Sequence, residues 1–214
     1  MSGDKVLVVA PHADDEVLGC GGIIQRHASI SDQVDVLIVC DRSNKKKEQR
    51  EEAHKCKNIL KYNNLFFSGL KDEFLDQNIR KIIKSIEKIY LKNKYNIIYT
   101  CNGSDVNIDH RAVHNASMVA FRALQRHSPN KIFLYEIPSS TGQGHKSQFQ
   151  PNYYCELSKD ILNSKVKAFE CYSEEIREEP NPRNDIGLRN FALFRGLQCN
   201  SKYAEAFNLI YEKF

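Results

Sequence analysis

The sequence predicts an α/β fold: a Rossmann-like, doubly wound and mostly parallel sheet flanked by helices. Short apolar segments of strand length alternate with longer amphipathic segments along most of the chain. Strands that alternate with helices imply right-handed crossovers between parallel strands. The length of 214 residues suits one domain, so we expect a single domain over residues 1–214.

Five segments have the composition of buried strands. The first is short, β-branched and not alternating, which is typical of a central strand in a parallel sheet. Pro11 ends it, because proline has no N–H to donate to a neighbouring strand. The predicted strands are residues 6–10, 34–40, 65–67, 97–100 and 132–135.

The segments between and after these strands have helical character. Residues 76–92 have the clearest period, with isoleucines at helical spacing. The first helix contains Gly19, Gly21 and Gly22, which we attribute to close packing on the sheet, since the dinucleotide-binding pattern GxGxxG is absent. The predicted helices are residues 16–28, 45–61, 76–92, 109–126, 158–175 and 185–198. Residues 138–153 are rich in small and polar residues and are predicted to form a loop over the site.

Composition and charge exclude several classes of protein. The net charge is +4, from 31 basic and 27 acidic residues, an excess too small to indicate nucleic-acid binding. The seven cysteines are scattered and form no CxxC pair, which argues against a disulfide framework and a cysteine zinc cage. We expect neither a membrane span nor a secretory signal, and therefore a cytoplasmic protein whose oligomeric state is open.

Two polar clusters follow two of the predicted strands. Residues 12–16 (HADDE) follow the first strand, and residues 105–114 (DVNIDHRAVH) follow the fourth. Open α/β sheets bind ligands at the carboxyl ends of their strands. His12, Asp15 and His110 could supply two imidazoles and one carboxylate, which leaves open positions for water and substrate, as in catalytic zinc sites. Acids that merely cap the next helix are the alternative, but the appearance of both clusters favours a metal site.

The two adjacent aspartates are expected to have different roles. Neighbouring residues at the start of a helix point roughly 100° apart, so one can bind the metal while the other faces the water. We assign Asp15 to the metal and Asp14 to the general base that takes a proton from the activated water. Glu16 is expected to support a ligand or the helix N-terminus.

The segments APHADDEVLGCGG and VNIDHRAVHNA resemble the motifs of the PIG-L or LmbE-like family of zinc-dependent deacetylases. Members of that family remove acetyl groups from N-acetylated amino sugars and related amides. The resemblance extends over nearly the whole chain, through YEIPSST and YAEAF. It implies the same three zinc ligands and the general base Asp14, and a supporting role for Asp109 in the histidine region. It also implies that Arg50 and Asp76 approach the sugar.

The chain departs from the family pattern at a few positions. Ala13 stands where proline is common, which should change backbone stiffness more than chemistry. Asn107 and Asn181 stand where family members often have histidine. Asparagine donates hydrogen bonds but does not shuttle protons, so protonated Asp14 is the simplest donor to the leaving amine.

The roles of two further histidines and the identity of the substrate-binding residues have more than one interpretation. His114 lies one helical turn after His110, but the glutamate of a two-histidine metalloprotease motif is missing, so packing or support is favoured. His145 on the polar loop could reach the substrate, although an exposed loop position is favoured. Arg50, Asp76, Asn107 and His145 are therefore the candidate substrate-binding residues.

The function predicted from the sequence is removal of an acetyl group from an N-acetylated amino sugar or sugar conjugate by a zinc-dependent hydrolase. The cofactor is one Zn²⁺ per chain, with another divalent metal such as Fe²⁺ as the alternative. A non-catalytic, metal-containing sugar- or nucleotide-sugar-binding protein is the alternative from another class, and the loss of histidine at position 107 motivates it. The third candidate function is an iron(II) oxygenase, because two histidines and a carboxylate also suit that metal. The presence of the base Asp14 next to a predicted ligand argues against it. The sequence does not identify the sugar.

Overall fold

A mostly parallel sheet of seven strands lies at the centre of the computed structural model, which describes residues 3–42, 44–124, 127–143 and 149–213. Six α-helices in these residues flank the sheet. The strands are β1 (Lys5–Ala10), β2 (Gln33–Asp41), β3 (Asn64–Lys71), β4 (Ile97–Cys101), β5 (Lys131–Tyr135), β6 (Tyr153–Glu156) and β7 (Ala204–Glu212). The helices are α1 (Asp15–Ser29), α2 (Lys46–Leu60), α3 (Ile79–Asn93), α4 (Ile108–Ala120), α5 (Lys159–Phe169) and α6 (Asp185–Gln198).

The strand order is β3-β2-β1-β4-β5-β7-β6. The first five strands of the chain are parallel, while β7 pairs antiparallel with both β5 and β6. The chain winds outward from β1 to β2 and β3, then returns to place β4 on the other side of β1. The point between β1 and β4 is therefore the topological switch of the sheet, where a crevice opens beyond the strand ends.

The predicted fold class is confirmed, and the five predicted strands are the parallel ones. The expectation that helices close the chain is wrong, because β7 follows α6. The β7 sequence AEAFNLIYE mixes acids and alanine with apolar residues, and its Glu205 is buried in spite of its charge. β6 is a four-residue strand that begins at the end of the predicted loop. Two predicted helices are also shorter than expected: α4 ends at Ala120 and α5 at Phe169.

β1 lies in the middle of the core, and residues 6–10 are fully buried. The neighbouring strands β2 and β4 cover the two edges of β1, and helices cover both faces of the sheet. A strand in this position therefore needs a continuous run of apolar residues. No helix among the described residues is both long and apolar enough to cross a membrane.

Helix α1 packs against the sheet at very short range. A Cβ at Gly19 would lie 2.3 Å from Cδ2 of Tyr135, and one at Gly22 would lie 2.6 Å from Cδ2 of Leu157. The close-packing explanation for these glycines is therefore confirmed. This approach matters for the site, because α1 begins directly at Asp15.

A buried ion pair connects α1 to the second half of the chain. The Glu205 carboxylate accepts hydrogen bonds from the backbone N–H groups of Gly22 and Ile23, both at 2.7 Å. Lys165 Nζ donates to Glu205 at 2.7 Å and to the Leu18 carbonyl at 2.9 Å. Helix α5 and strand β7 thus hold the backbone of α1 through charge-assisted hydrogen bonds.

We expect Gly19→Ala to lower the free energy of unfolding by about 1–3 kcal/mol, the range for overpacking a close contact. The added methyl group would meet the Tyr135 ring, and this clash outweighs the better helix propensity of alanine. Denaturation in urea measures the change. Gly142→Ala is the matched control, because no atom lies within 4 Å of the Cβ it would add. Equal stability of the two variants would contradict this account of the packing.

Candidate metal centre and active site

The two polar clusters meet at the switch point of the sheet. One extends from the loop after β1 into the start of α1, and the other extends from the loop after β4 into the first turns of α4. They line a cavity of about 580 Å³ that also contacts residues after β2, β3 and β5 and the loop before α6. Its volume is in the range of small-molecule sites.

Three potential ligand atoms converge in this cavity. His12 Nδ1 lies 3.0 Å from Asp15 Oδ2, and His110 Nε2 lies 3.2 Å from each of these two atoms. Zinc binds nitrogen and carboxylate oxygen at about 2.0–2.2 Å, so ligand atoms of a tetrahedral site lie about 3.3 Å apart. The spacing of these three atoms fits one zinc ion with a position left open.

The charges of the cluster favour a cation at its centre. Burial would lower the pKa of His110, but the negative charge of Asp15 and the carboxylates of Asp105 and Asp15 as hydrogen-bond acceptors raise it to about 9. Burial would raise the pKa of Asp15, but the charge of His110 and hydrogen bonds from both histidines hold it well below its usual range. Positive charge is therefore strongly stabilised here, and a divalent metal supplies it without protonating the ligands.

Carboxylates contact the outer nitrogen of each histidine. His12 Nε2 lies 3.0 Å from Asp72 Oδ1 and 3.5 Å from Asp109 Oδ2. His110 Nδ1 lies 3.1 Å from Asp105 Oδ2. Such carboxylates fix the ring orientation of metal-binding histidines and raise their basicity.

The acids around the histidines are themselves held by hydrogen bonds. Asp105 accepts from the hydroxyl groups of Ser140 and Thr141 at 2.8 and 2.7 Å. Asp109 accepts from the backbone N–H groups of Glu73 and Leu75 at 2.8 and 3.0 Å. The loops after β3 and β5 thus fix the supporting acids, and through them the two histidine rings.

Sequence reasoning missed Asp105 and Asp72. Asp105 was visible as an acid within the second cluster. Asp72 directly follows β3, whose predicted extent ended at residue 67, so its proximity to the site could not be inferred.

Asp14 occupies an unusual backbone conformation beside the metal ligands. Its φ of 123° lies in a region that L-residues rarely adopt. Its N–H donates to Glu16 Oε2 at 2.9 Å, and burial raises the pKa of Glu16 to about 7 despite its hydrogen bond from Tyr172. The Asp14 carboxylate lines the cavity and forms an ion pair with Arg183. The conformation turns this carboxylate toward the cavity while Asp15 begins the helix.

Asn107 has a structural partner that accounts for its side chain. Its Oδ1 accepts a hydrogen bond from the Asp109 N–H at 2.8 Å, so Asn107 is the N-cap of α4. Asparagine is among the best residues for this position. The residue also lines the cavity.

His114 lies away from the metal ligands, although it shares α4 with His110. Its Nδ1 donates to the Cys101 carbonyl at 3.0 Å, and burial lowers its pKa. The ring packs against Gly103. The structure thus agrees with the packing role favoured for His114.

Two of the candidate substrate-binding residues lie outside the cavity lining. The Arg50 guanidinium donates to both Asp41 carboxylate oxygens, at 3.1 and 2.6 Å, and stacks 4.4 Å from the Phe67 ring centroid. Asp76 is exposed on a short 3₁₀ turn. His145 lies outside the described residues. Their contacts with substrate remain predictions.

Other charged residues occupy the wall near Asp14. Arg42 follows β2, and Glu175, Arg177 and Arg183 lie between α5 and α6. Sequence reasoning missed all four. For the three residues between α5 and α6, the reason is that their segment has no motif and its position depends on the packing of these two helices.

Comparison with known proteins agrees with this fold and site. The family model described as "PIG-L: GlcNAc-PI de-N-acetylase" matches residues 7–121. A curated relative, the diacetylchitobiose deacetylase of Thermococcus kodakarensis, is 23% identical over 223 residues, which cover 96% of this chain and 83% of the relative.

Two solved structures show the same fold at low identity. The N,N'-diacetylchitobiose deacetylase of Pyrococcus horikoshii, complexed with its inhibitor MPG, has a TM-score of 0.78 and 22% identity, covering 97% of this chain and 84% of that one. The 4-carboxy-2-hydroxymuconate hydratase GalB of Pseudomonas putida KT2440 has a TM-score of 0.76 and 18% identity, covering 99% and 98% of the two chains. The family match covers more than half of the sequence and includes both polar clusters, so this chain belongs to the PIG-L family.

Proposed function

We propose that the protein is a zinc-dependent hydrolase that removes the acetyl group from an N-acetylated amino sugar or sugar conjugate. The observation that carries this proposal is a set of three residues that could hold one metal ion, with a further carboxylate, that of Asp14, in the same cavity. Family membership and the names of the deacetylase relatives support the reaction class.

His12, Asp15 and His110 would hold the metal, and Zn²⁺ suits two imidazoles and one carboxylate, with Fe²⁺ as the alternative. When bound, the metal would acidify water and polarise the acetyl carbonyl of the substrate. Asp105, Asp72 and Asp109 would keep the imidazole rings in their orientation.

Asp14 would move the protons of the reaction. Its carboxylate takes a proton as the water oxygen attacks the acetyl carbon. When the C–N bond breaks, the same carboxyl group returns the proton to the leaving nitrogen, so that acetate and a free amine form. The ion pair with Arg183 stabilises the ionised form of Asp14, which exists before the carboxylate takes the proton and again after it has returned it.

Asn107 is an unsuitable proton donor in this scheme. Its amide does not titrate, and its Oδ1 is already bonded at the N-terminus of α4. This residue is the observation that favours a second candidate function, a metal-containing sugar- or nucleotide-sugar-binding protein without catalysis. Acetate release from a panel of N-acetylhexosamine conjugates, with a chelated control, separates the two, and complete inactivity across the panel would favour binding alone.

We expect Asp14→Asn to lower kcat by about 10²–10⁴-fold, the usual contribution of a general base. Zinc content should be unchanged, because Asp14 is not a proposed ligand. Acetate release and metal analysis of the purified protein test the two parts. Asp160→Asn, at an exposed carboxylate near the start of α5, is the control. Undiminished turnover in Asp14→Asn would rule out the proposed role.

His110→Gln should leave the purified protein with much less than one zinc per chain, since it removes one of three proposed ligands. His114→Gln on the same helix should retain full zinc content, because its ring bonds the Cys101 carbonyl instead. Elemental analysis after dialysis gives the comparison. Full zinc occupancy in His110→Gln would exclude His110 as a ligand.

Asp105→Asn should weaken zinc affinity by about 10–100-fold, as loss of a supporting carboxylate usually does. The neutral amide no longer places a negative charge 3.1 Å from His110 Nδ1. Competition with a zinc chelator measures the affinity. An affinity equal to that of the unmodified protein would show that Asp105 only stabilises the loop of Ser140 and Thr141.

A further inference from the structure

Three arginines meet at a single glutamate on the wall of the cavity near Asp14. Arg183 Nη2 lies 2.8 Å from Glu175 Oε2, and Arg177 Nη2 lies 3.8 Å from the same oxygen. Arg42 contacts the other carboxylate oxygen of Glu175. We call Arg42, Arg177 and Arg183 the arginine wall.

The arginine wall carries more positive charge than its partners neutralise. Glu175 offsets one of three charges, and ionised Asp14 offsets a second through Arg183. The neighbouring acid Glu174 pairs with Lys45. These pairs leave one of the three positive charges without a carboxylate, and Arg177 also donates through Nη1 to the backbone carbonyls of Glu174 and Ile176.

Acidic and basic side chains both line the cavity. On the metal side, Asp72 and Asp109 contact His12, whereas the arginines face it from the loop before α6 and from the end of β2. The Arg42 and Arg177 side chains remain 38% and 47% exposed, while that of Glu175 is 5% exposed. Two of the three guanidinium groups thus remain accessible to a ligand in the cavity.

The loop that carries Arg177 and Arg183 is held by its own hydrogen bonds. The Arg177 N–H donates to the Arg183 carbonyl at 2.9 Å. Asn184 Nδ2 donates to the carbonyls of Arg177 and Asn181, at 3.0 and 2.7 Å. A fixed backbone reduces the entropy lost when the arginines bind a ligand. The buried Nε of Arg183 has no hydrogen-bond partner among the described residues.

We propose that the arginine wall binds an anionic group, a phosphate or carboxylate, of an N-acetylhexosamine derivative. The inference rests on the proposed function, since it assumes that the acetamido group lies at the metal side of the same cavity. Planar guanidinium groups match the oxygens of both anions, and such charge-assisted bonds are about twice as strong as neutral ones. The bound anion shares Arg183 with Asp14.

Calorimetric binding to the zinc-loaded protein tests the anion site without requiring turnover. The probes are N-acetylglucosamine 1-phosphate and 6-phosphate, N-acetylmuramic acid as the carboxylate, and neutral N-acetylglucosamine. At least one anionic sugar should bind at least about tenfold more tightly than the neutral one, by the strength of one charged hydrogen bond. Comparison of the affinities of the sugar phosphates with that of N-acetylmuramic acid shows whether the site prefers a phosphate or a carboxylate.

Arg177→Gln and Arg42→Gln should each remove most of this preference, because they should weaken binding of the anionic sugar far more than binding of N-acetylglucosamine. Arg122→Gln, at an exposed arginine on the C-terminal side of α4, should retain it. Equal binding of neutral and anionic sugars, or a preference that survives both wall substitutions, would overturn the inference.

Acetate release by the same protein distinguishes failure of this inference from failure of the proposed function. Release from neutral and anionic sugars with equal kcat/KM, unaffected by the wall substitutions, would support deacetylation and overturn the anion site. Arginine-dependent binding of anionic sugars without release of acetate would support the anion site and overturn the deacetylase.

Discussion

The parallel pairing of β1 with β4 is the constraint on which the site depends. Val6 to Val9 are in register with Ile97 to Thr100, so segments more than 90 residues apart in sequence end at the same edge of the sheet. Because the chain reverses its winding direction there, a crevice opens beyond the strand ends. His12 and His110 can meet only in this crevice, and β2 and β5 fix the two strands from their outer sides.

The parts of the site that sequence reasoning could predict are those placed directly by the parallel strands. The candidate ligands lie in the segments that directly follow β1 and β4, and continuous apolar strands are easily recognised. Asp72 and Arg183 were missed because their positions depend on loop conformation and on the packing of α5 and α6. β7 was missed for another reason: its buried Glu205 is tolerated only because Lys165 and two backbone N–H groups surround it, and no local pattern indicates such a partner.

The site concentrates acidic groups beside a strained backbone. Three acids contact the outer sides of two histidines, and Asp14 takes a positive φ stabilised by the Glu16 carboxylate. Burial of such an acidic cluster costs free energy unless other groups compensate the charges. A positive φ at a residue such as Asp14 persists only where the surrounding structure holds the backbone in place. Hydrogen bonds from loops after β3 and β5 and the ion pair with Arg183 provide the compensation. Arg183 therefore also stabilises the folded state.

The buried pair of Lys165 and Glu205 has a consequence for how the protein is made. The family match ends at residue 121, yet the backbone of the helix that starts at Asp15 is held by residues from α5 and β7. The recognisable motif region is thus not an independent unit. During synthesis on the ribosome, the first motif emerges before α5 and β7, so these contacts with α1 form only after both elements have been made.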